Sequence, residues 1–212
     1  METTLIIWDC DGVLVDSEWL GAKAFAEILL ELGADLPLDY IYHSLKGGDI
    51  HRSLAFVAQH VNNPKGYDVE MMYRTRVDEL FDKELKQIEG SDEVLNYIQT
   101  EQCVASNGPK DKIIRNLNIT DLKKYFDDAH IFSAHDINVF KPQPDLFLHA
   151  ALTMGIKPQN CIVIEDSVHG AEAAKRAGMT CYGYCASTDR NDMIAQGAIP
   201  INHMKELLQL LH

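Results

Sequence analysis

Three observations predict an α/β fold, a parallel sheet layered between helices, with a helical lobe inserted after the first strand. Short apolar runs, Leu5-Ile6-Ile7-Trp8, Cys103-Val104-Ala105 and Cys161-Ile162-Val163-Ile164, recur between polar or turn residues and read as strands buried on both faces. Segments of helical spacing lie between or after them, such as residues 145–154 and 168–177, the second closing at Gly178 as a helix C-terminus does. From Ser17 to about Lys86 the alternation stops: residues 19–32, 53–60 and 69–85 carry helical patterns with no convincing strand, and Gly33, Gly47-Gly48 and Asn62-Asn63-Pro64 supply the turns.

Strands alternating with helices build a parallel sheet through right-handed crossovers. The expected division is therefore a core of residues 1–16 and 88–212, split by a helical unit of residues 17–87. A length of 212 residues suits one large core plus one smaller lobe. Apolar residues at 46% and charged residues at 24% are ordinary for a globular chain, so neither a disordered nor a fibrous class is indicated.

Charge narrows the partners. Lys and Arg number 19 against 32 acids, a net charge of -13, which excludes nucleic acid as a partner because backbone affinity comes from cations. An anionic small molecule would need a local positive site to overcome the global field. The segment Met1-Glu2-Thr3-Thr4 is acidic and the apolar run behind it stops at Asp9, too short for a signal peptide or a membrane span. A cytoplasmic protein, monomeric or weakly dimeric and with no membrane partner, is expected. Cys10, Cys103, Cys161, Cys181 and Cys185 form no CxxC pair and read as reduced thiols.

The densest chemistry follows the first strand, in Asp9-Cys10-Asp11-Gly12-Val13-Leu14-Val15-Asp16-Ser17. Acids at the carboxyl end of a parallel strand stand where α/β sheets place ligands. Alternation along an extended chain directs Asp9 and Asp11 to one pocket, and Gly12 lets the backbone turn. Two close anions need a cation between them, and oxygen-only ligands suit Mg²⁺. Glu165-Asp166 repeats the arrangement after the strand 161–164, so either acid or both complete the metal shell. Lys141, stiffened by Pro142 and Pro144, is the fixed cation that such an acid-rich site needs. Ser106-Asn107-Gly108, between a strand and a helix, offers a hydroxyl and backbone amides to phosphate oxygens. Together they make an electrostatic clamp for phosphoryl transfer.

The phrases DCDGVLVDSE, VASNG, Lys141-Pro142 and IEDSVHG, in this order, resemble the four motifs of the haloacid dehalogenase superfamily. The inserted helical unit resembles the small cap of its phosphoglucomutase-like branch. The nearest likeness, including Phe81 to Leu85 and Cys103 to Pro109, is to bacterial sugar-phosphate phosphatases of the 6-phosphogluconate type. The resemblance implies a Rossmann-like three-layer core and a phosphatase acting on a small-molecule phosphate ester. It implies Asp9 as nucleophile and Asp11 as general acid and base. It implies Mg²⁺ held by Asp9, the backbone carbonyl of Asp11 and Asp166, with Glu165 close by, and a phosphate held by Ser106, Asn107 and Lys141.

In the inserted unit, Leu45-Lys46-Gly47-Gly48-Asp49-Ile50-His51-Arg52 is the candidate specificity loop, whose Lys46 and Arg52 would answer a second anionic group of the substrate. Two rival functions share these features. A phosphosugar mutase uses the same motifs and cap but returns the phosphate to its sugar. A phospho-receiver module also gathers Asp, Mg²⁺ and Lys at strand ends but lacks an inserted helical lobe.

Overall fold

The computed structural model describes residues 5–46, 48, 50–61, 66–186 and 188–211. Among them the chain divides into two compact units, Met1–Val15 with Lys86–His212, and Asp16–Leu85. The first is built on six parallel strands: β1 (Leu5–Trp8), β2 (Glu101–Ser106), β3 (Ile131–Ser133), β4 (Cys161–Glu165), β5 (Thr180–Tyr184) and β6 (Ile199–Ile201), in the order β3-β2-β1-β4-β5-β6.

The chain leaves β1 for β2 and β3 on one side, then returns beside β1 to build β4, β5 and β6 on the other. The order reverses between β1 and β4, the switch point at which open α/β sheets generally place their ligands. Every residue of β1 and β4 is buried, as expected of central strands covered on both faces. Leu5, Ile7, Cys103, Ala105, Cys161 and Val163 pack with Phe147 and Ala150 of one helix and Ala171 and Ala174 of another. Ile6, Trp8, Val104, Ile162 and Ile164 alternate with them and are also buried. Trp8 meets its one polar need by donating from Nε1 to Gln102 Oε1 at 3.0 Å.

Five of the helices around this sheet matter for the site or the core: α5 (Ser91–Tyr97), α6 (Lys110–Ile119), α7 (Ala134–Ile137), α8 (Asp145–Thr153) and α9 (Val168–Arg176). They are numbered after the four of the inserted unit, α1 (Ser17–Glu31), α2 (Leu38–Leu45), α3 (Ile50–His60) and α4 (Val69–Glu84). Phe25, Ile28, Leu29, Ile41 and Val57 form the apolar centre of that unit, and Phe25 stacks on Tyr73 with ring centroids 4.3 Å apart. Arg76 ties α4 to α1 through Glu27 at 2.9 Å and Glu31 at 3.1 Å.

The three expected strands are present, and three more join them. β3 and β6 have three residues each, β5 contains Gly183 and β6 contains Pro200, so none shows the apolar run that marks a central strand. Pro200 is tolerated because β6 is an edge. The helical reading of residues 17–86 missed α2, and α3 begins at Ile50, three residues before expectation. Asp16 occupies the N-cap of α1 but makes no side-chain capping bond there. The turn at Asn62-Asn63-Pro64, the segment Met1 to Thr4, and Gly47 lie outside the described residues. No helix among the described residues is long and apolar enough to cross a membrane.

Ile7 is wholly buried in the middle of β1. Ile7→Ala is expected to remove about 2–5 kcal/mol of stability, read as a lower urea midpoint with the slope unchanged.

Candidate active site

Register brings the site together. Trp8 pairs with Val104 on one side and with Ile164 on the other, so one residue further on, Asp9 comes level with Ala105 and Glu165. Asp9 holds that level by donating its backbone N–H to Ile164 O at 3.0 Å. The Lys141 ammonium meets these three residues: Nζ lies 2.5 Å from Asp9 Oδ1, 2.7 Å from Glu165 Oε1 and 3.0 Å from Ala105 O. All three donors of the ammonium thus have acceptors. Asp9 and Lys141 are 7% exposed and Glu165 is 1% exposed. Phe147 of α8 lies under the ammonium, its ring centroid 4.8 Å from Nζ.

The backbone of Lys141 is held as firmly as its head. Its N–H donates to Asn107 Oδ1 at 2.9 Å, and the Lys141–Pro142 peptide is cis. Glu165 is fixed from its other oxygen, which accepts from the backbone N–H and hydroxyl of Ser167, both at 2.8 Å. The Ser167 hydroxyl in turn accepts from Gly170 N at 3.0 Å and caps α9.

The segment after Asp9 closes at once. Leu14 N and Val15 N both donate to Cys10 O, and Gly12 N donates to Val15 O at 2.9 Å. Gly12 has φ of +81°, and a Cβ there would overlap the Asp166 carboxylate; glycine is therefore required for both the turn and the approach. Asp166, 5% exposed, has its own carbonyl accepting from the Thr188 hydroxyl at 2.5 Å. On the other flank Asp11 Oδ2 lies 3.1 Å from Lys112 Nζ. Ser106 Oγ accepts from Gly108 N at 3.2 Å, and Ser133 Oγ donates to Gly108 O at 2.7 Å.

Of the residues singled out from sequence, Asp9, Asp11, Ser106, Asn107, Lys141, Glu165 and Asp166 gather at the carboxyl ends of β1, β2 and β4. Lys46 and Arg52 belong to the inserted unit. Lys46 ends α2 with Nζ 6.0 Å from the Tyr42 ring centroid, and Arg52, within α3 rather than a loop, donates to Ser44 O at 3.0 Å. Sequence reasoning missed Lys112, Ser133, Ser167 and Thr188. Only Lys112 left a trace, as a cation in the first helical turn, where the peptide dipoles disfavour one.

Electrostatics follow from two carboxylates sharing one ammonium. Burial raises Asp9 against the opposing pull of Lys141, and Glu165 adds to the rise, carrying it to about 7. Burial alone would lower Lys141, but Asp9 and Glu165 more than reverse that and hold it charged. Burial, with Asp11 and Asp9 beside it, pushes the Cys10 thiol well up, so Cys10 stays neutral and is no nucleophile. Among the described residues no three His, Cys, Asp or Glu side chains form a metal-binding group. The donors at hand for a cation are oxygens: the carboxylates of Asp9 and of Asp166, the latter against Gly12, and the carbonyls of the turn. That set suits a hard ion with room for water.

A parallel sheet whose strand ends carry four acids, two of them on one buried lysine, places the chain among α/β enzymes with an acidic strand-end site. The profile of the haloacid dehalogenase-like hydrolases matches residues 6–184, and the chain belongs to that family, as a phosphoric monoester hydrolase. It is 34% identical over 206 residues to the 6-phosphogluconate phosphatase of Escherichia coli, covering 97% of this chain and 93% of that protein. A conserved haloacid dehalogenase-like protein of unknown function from Agrobacterium tumefaciens superposes with a TM-score of 0.87 at 31% identity, over 99% of this chain and 97% of that one. A beta-phosphoglucomutase-like protein from Thermotoga maritima superposes with a TM-score of 0.84 at 26% identity, over 100% and 98% of the two chains.

The raised Asp9 sets a direction for stability. Folded Asp9 holds its proton more tightly than the unfolded carboxyl, so this residue's contribution is full below about pH 4 and is lost as pH rises through about 7. Asp9→Asn leaves Lys141 with one carboxylate and no surplus charge. In EDTA the variant is expected to melt at a higher temperature than the wild type at pH 8, the gain shrinking as pH falls through 7 and vanishing toward pH 4 in a thermal series.

Proposed function

We propose that the protein hydrolyses phosphate monoesters of sugars or sugar acids, 6-phosphogluconate among them, through a phosphoryl group carried transiently on Asp9. The observation that carries this reading is the buried Lys141 ammonium shared by Asp9 and Glu165 at the switch point. It fixes Asp9 Oδ1 and leaves the other Asp9 oxygen to attack phosphorus. The first displacement forms the Asp9–phosphorus bond and breaks the ester bond, and Asp11 gives its proton to the departing alkoxide. In the second, water gives a proton to Asp11 while its oxygen displaces Asp9, freeing phosphate.

Lys141 has all three hydrogens engaged, so its part is to neutralise and orient Asp9 rather than to carry the phosphate alone. Ser106 accepts from Gly108 and keeps its own hydrogen for a phosphate oxygen. The Asn107 side chain anchors Lys141, which leaves its backbone amide as the group offered to phosphate. Mg²⁺ is the proposed cofactor, held by Asp9, Asp166 and the Asp11 carbonyl; when bound it supplies positive charge to the phosphoryl oxygens. Glu165, whose oxygens are taken by Lys141 and Ser167, is read as a support for Lys141 and not as a direct ligand. Lys46 and Arg52 of the inserted unit remain candidates for an anionic group on the leaving part.

The likeness to a beta-phosphoglucomutase-like protein supplies the one competing reading, phosphate returned to sugar. A panel of sugar and sugar-acid phosphates, assayed for free phosphate and for isomers with and without a bisphosphate primer, separates the two. Net phosphate release without a primer is expected; isomer formation without net release would replace hydrolysis by the mutase reading. Asp9→Asn is expected to lose roughly a thousandfold or more in kcat, and Asp11→Asn about 10²–10⁴-fold. EDTA is expected to stop phosphate release and added Mg²⁺ to restore it. Borohydride trapping of the quenched wild-type enzyme should mark Asp9 in peptide mass spectra.

A further inference from the structure

Helix α6 opens directly behind the loop that carries Ser106, with Lys110, Asp111 and Lys112 in its first turn. Two cations at this end oppose the helix dipole, so a local reason for Lys112 is to be sought. Its Nζ lies 3.1 Å from Asp11 Oδ2. The same oxygen lies 3.6 Å from the place a Cβ would take on Gly108, and Ser106 Oγ lies 3.7 Å from that place. One oxygen of Asp11 is therefore enclosed by Lys112 and the bare backbone of the phosphate loop. The base of Lys112 is tethered as well, its N–H donating to Asp111 Oδ1 at 2.9 Å. With the two side chains 40% and 27% exposed, the pair adds little to stability. Its consequence is geometric.

We propose that Lys112 is a positioning residue for acid–base catalysis: its ammonium holds Asp11 Oδ2 and so fixes the orientation of the carboxyl that serves the leaving group. The proposal rests on the reading of Asp11 as the proton donor. Proton balance is untouched, since Asp11 gives its proton to the alkoxide as the ester bond breaks and regains one from water as the Asp9–phosphorus bond breaks. Lys112 exchanges none. A carboxyl displaced by about 1 Å can cost on the order of a hundredfold in rate, and the loss falls on leaving groups that need the proton.

The test compares kcat/KM for a sugar phosphate, whose alkoxide must be protonated, with that for p-nitrophenyl phosphate, whose phenolate leaves with little help. This parameter reports the steps up to release of the first product. Lys112→Met is expected to lose about 10–100-fold on the sugar phosphate, with the loss in kcat. On p-nitrophenyl phosphate the loss should be several-fold smaller, and Lys112→Arg should recover most of the rate. Equal losses on both substrates, a loss confined to KM, or no loss would overturn the proposal. Wild-type protein that releases no phosphate, or an active Asp9→Asn, would instead bring down the underlying phosphatase reading, and this inference with it.

Discussion

The Lys141 ammonium, buried between Asp9 and Glu165, is the contact around which the rest of the site is arranged. A charge removed from water costs several kcal/mol unless it is paired and its hydrogens find acceptors. Here the acceptors come from three strands. They meet only because β1, β2 and β4 are in a register that sets Asp9, Ala105 and Glu165 at one height. A shift of one residue in either pairing would carry a carboxylate to the wrong face of the sheet. The apolar side chains of β1 and β4 therefore do more than fill the core: their packing fixes the register on which the ammonium depends.

Glycines enter as a consequence of that crowding. Beside Asp166 the chain has to reverse within a few residues, and Gly12 supplies both a left-handed backbone and an empty Cβ position. At the start of α9, Gly170 leaves room for the Glu165 carboxylate, which a Cβ would overlap. Glu165 gains from this closeness. It lies at the N-terminal turn of a helix, where peptide N–H groups and the Ser167 cap favour a negative charge. That leaves its far oxygen for Lys141, so the helix end and the ammonium stabilise the same anion from opposite sides.

Much of this was legible in the sequence because a parallel sheet displays its chemistry at strand ends. Asp9, Ser106 and Glu165-Asp166 each follow an apolar run, and that pattern alone placed them together. What the runs could not carry was register. The sequence orders Glu165 and Asp166 but does not say which one faces the lysine, and the division of roles emerged only with the strand pairings and the Ser167 cap. Lys141 was found through its proline-stiffened phrase, yet its hold on Asn107 is a contact across 34 residues that no local pattern encodes. β3, β5 and β6 went unseen for a different reason: β3 and β6 are edge strands of three residues each, and Gly183 interrupts β5, so none offers a continuous apolar run. Helix α2 was missed because it spans only eight residues directly after Pro37, too few turns for its apolar spacing, with Ile41 and Leu45 as its buried side chains, to stand out.

Charge balance then decides what the site requires. Asp9, Asp11, Glu165 and Asp166 gather at the strand ends of a chain already strongly acidic, where Lys141 meets Asp9 and Glu165 and Lys112 meets Asp11. Burial first, and then the neighbouring Glu165 and Asp11 carboxylates, raise Asp9 to about 7 against the pull of Lys141, so positive charge brought to this carboxylate would favour its ionised form. A divalent cation beside Asp9 would oppose that rise more strongly than a monovalent one and favour the ionised carboxylate. The acidity that looks hostile to a phosphate ester thus accounts for the proposed Mg²⁺. With such an ion bound, an anionic substrate would meet less negative potential at the strand ends.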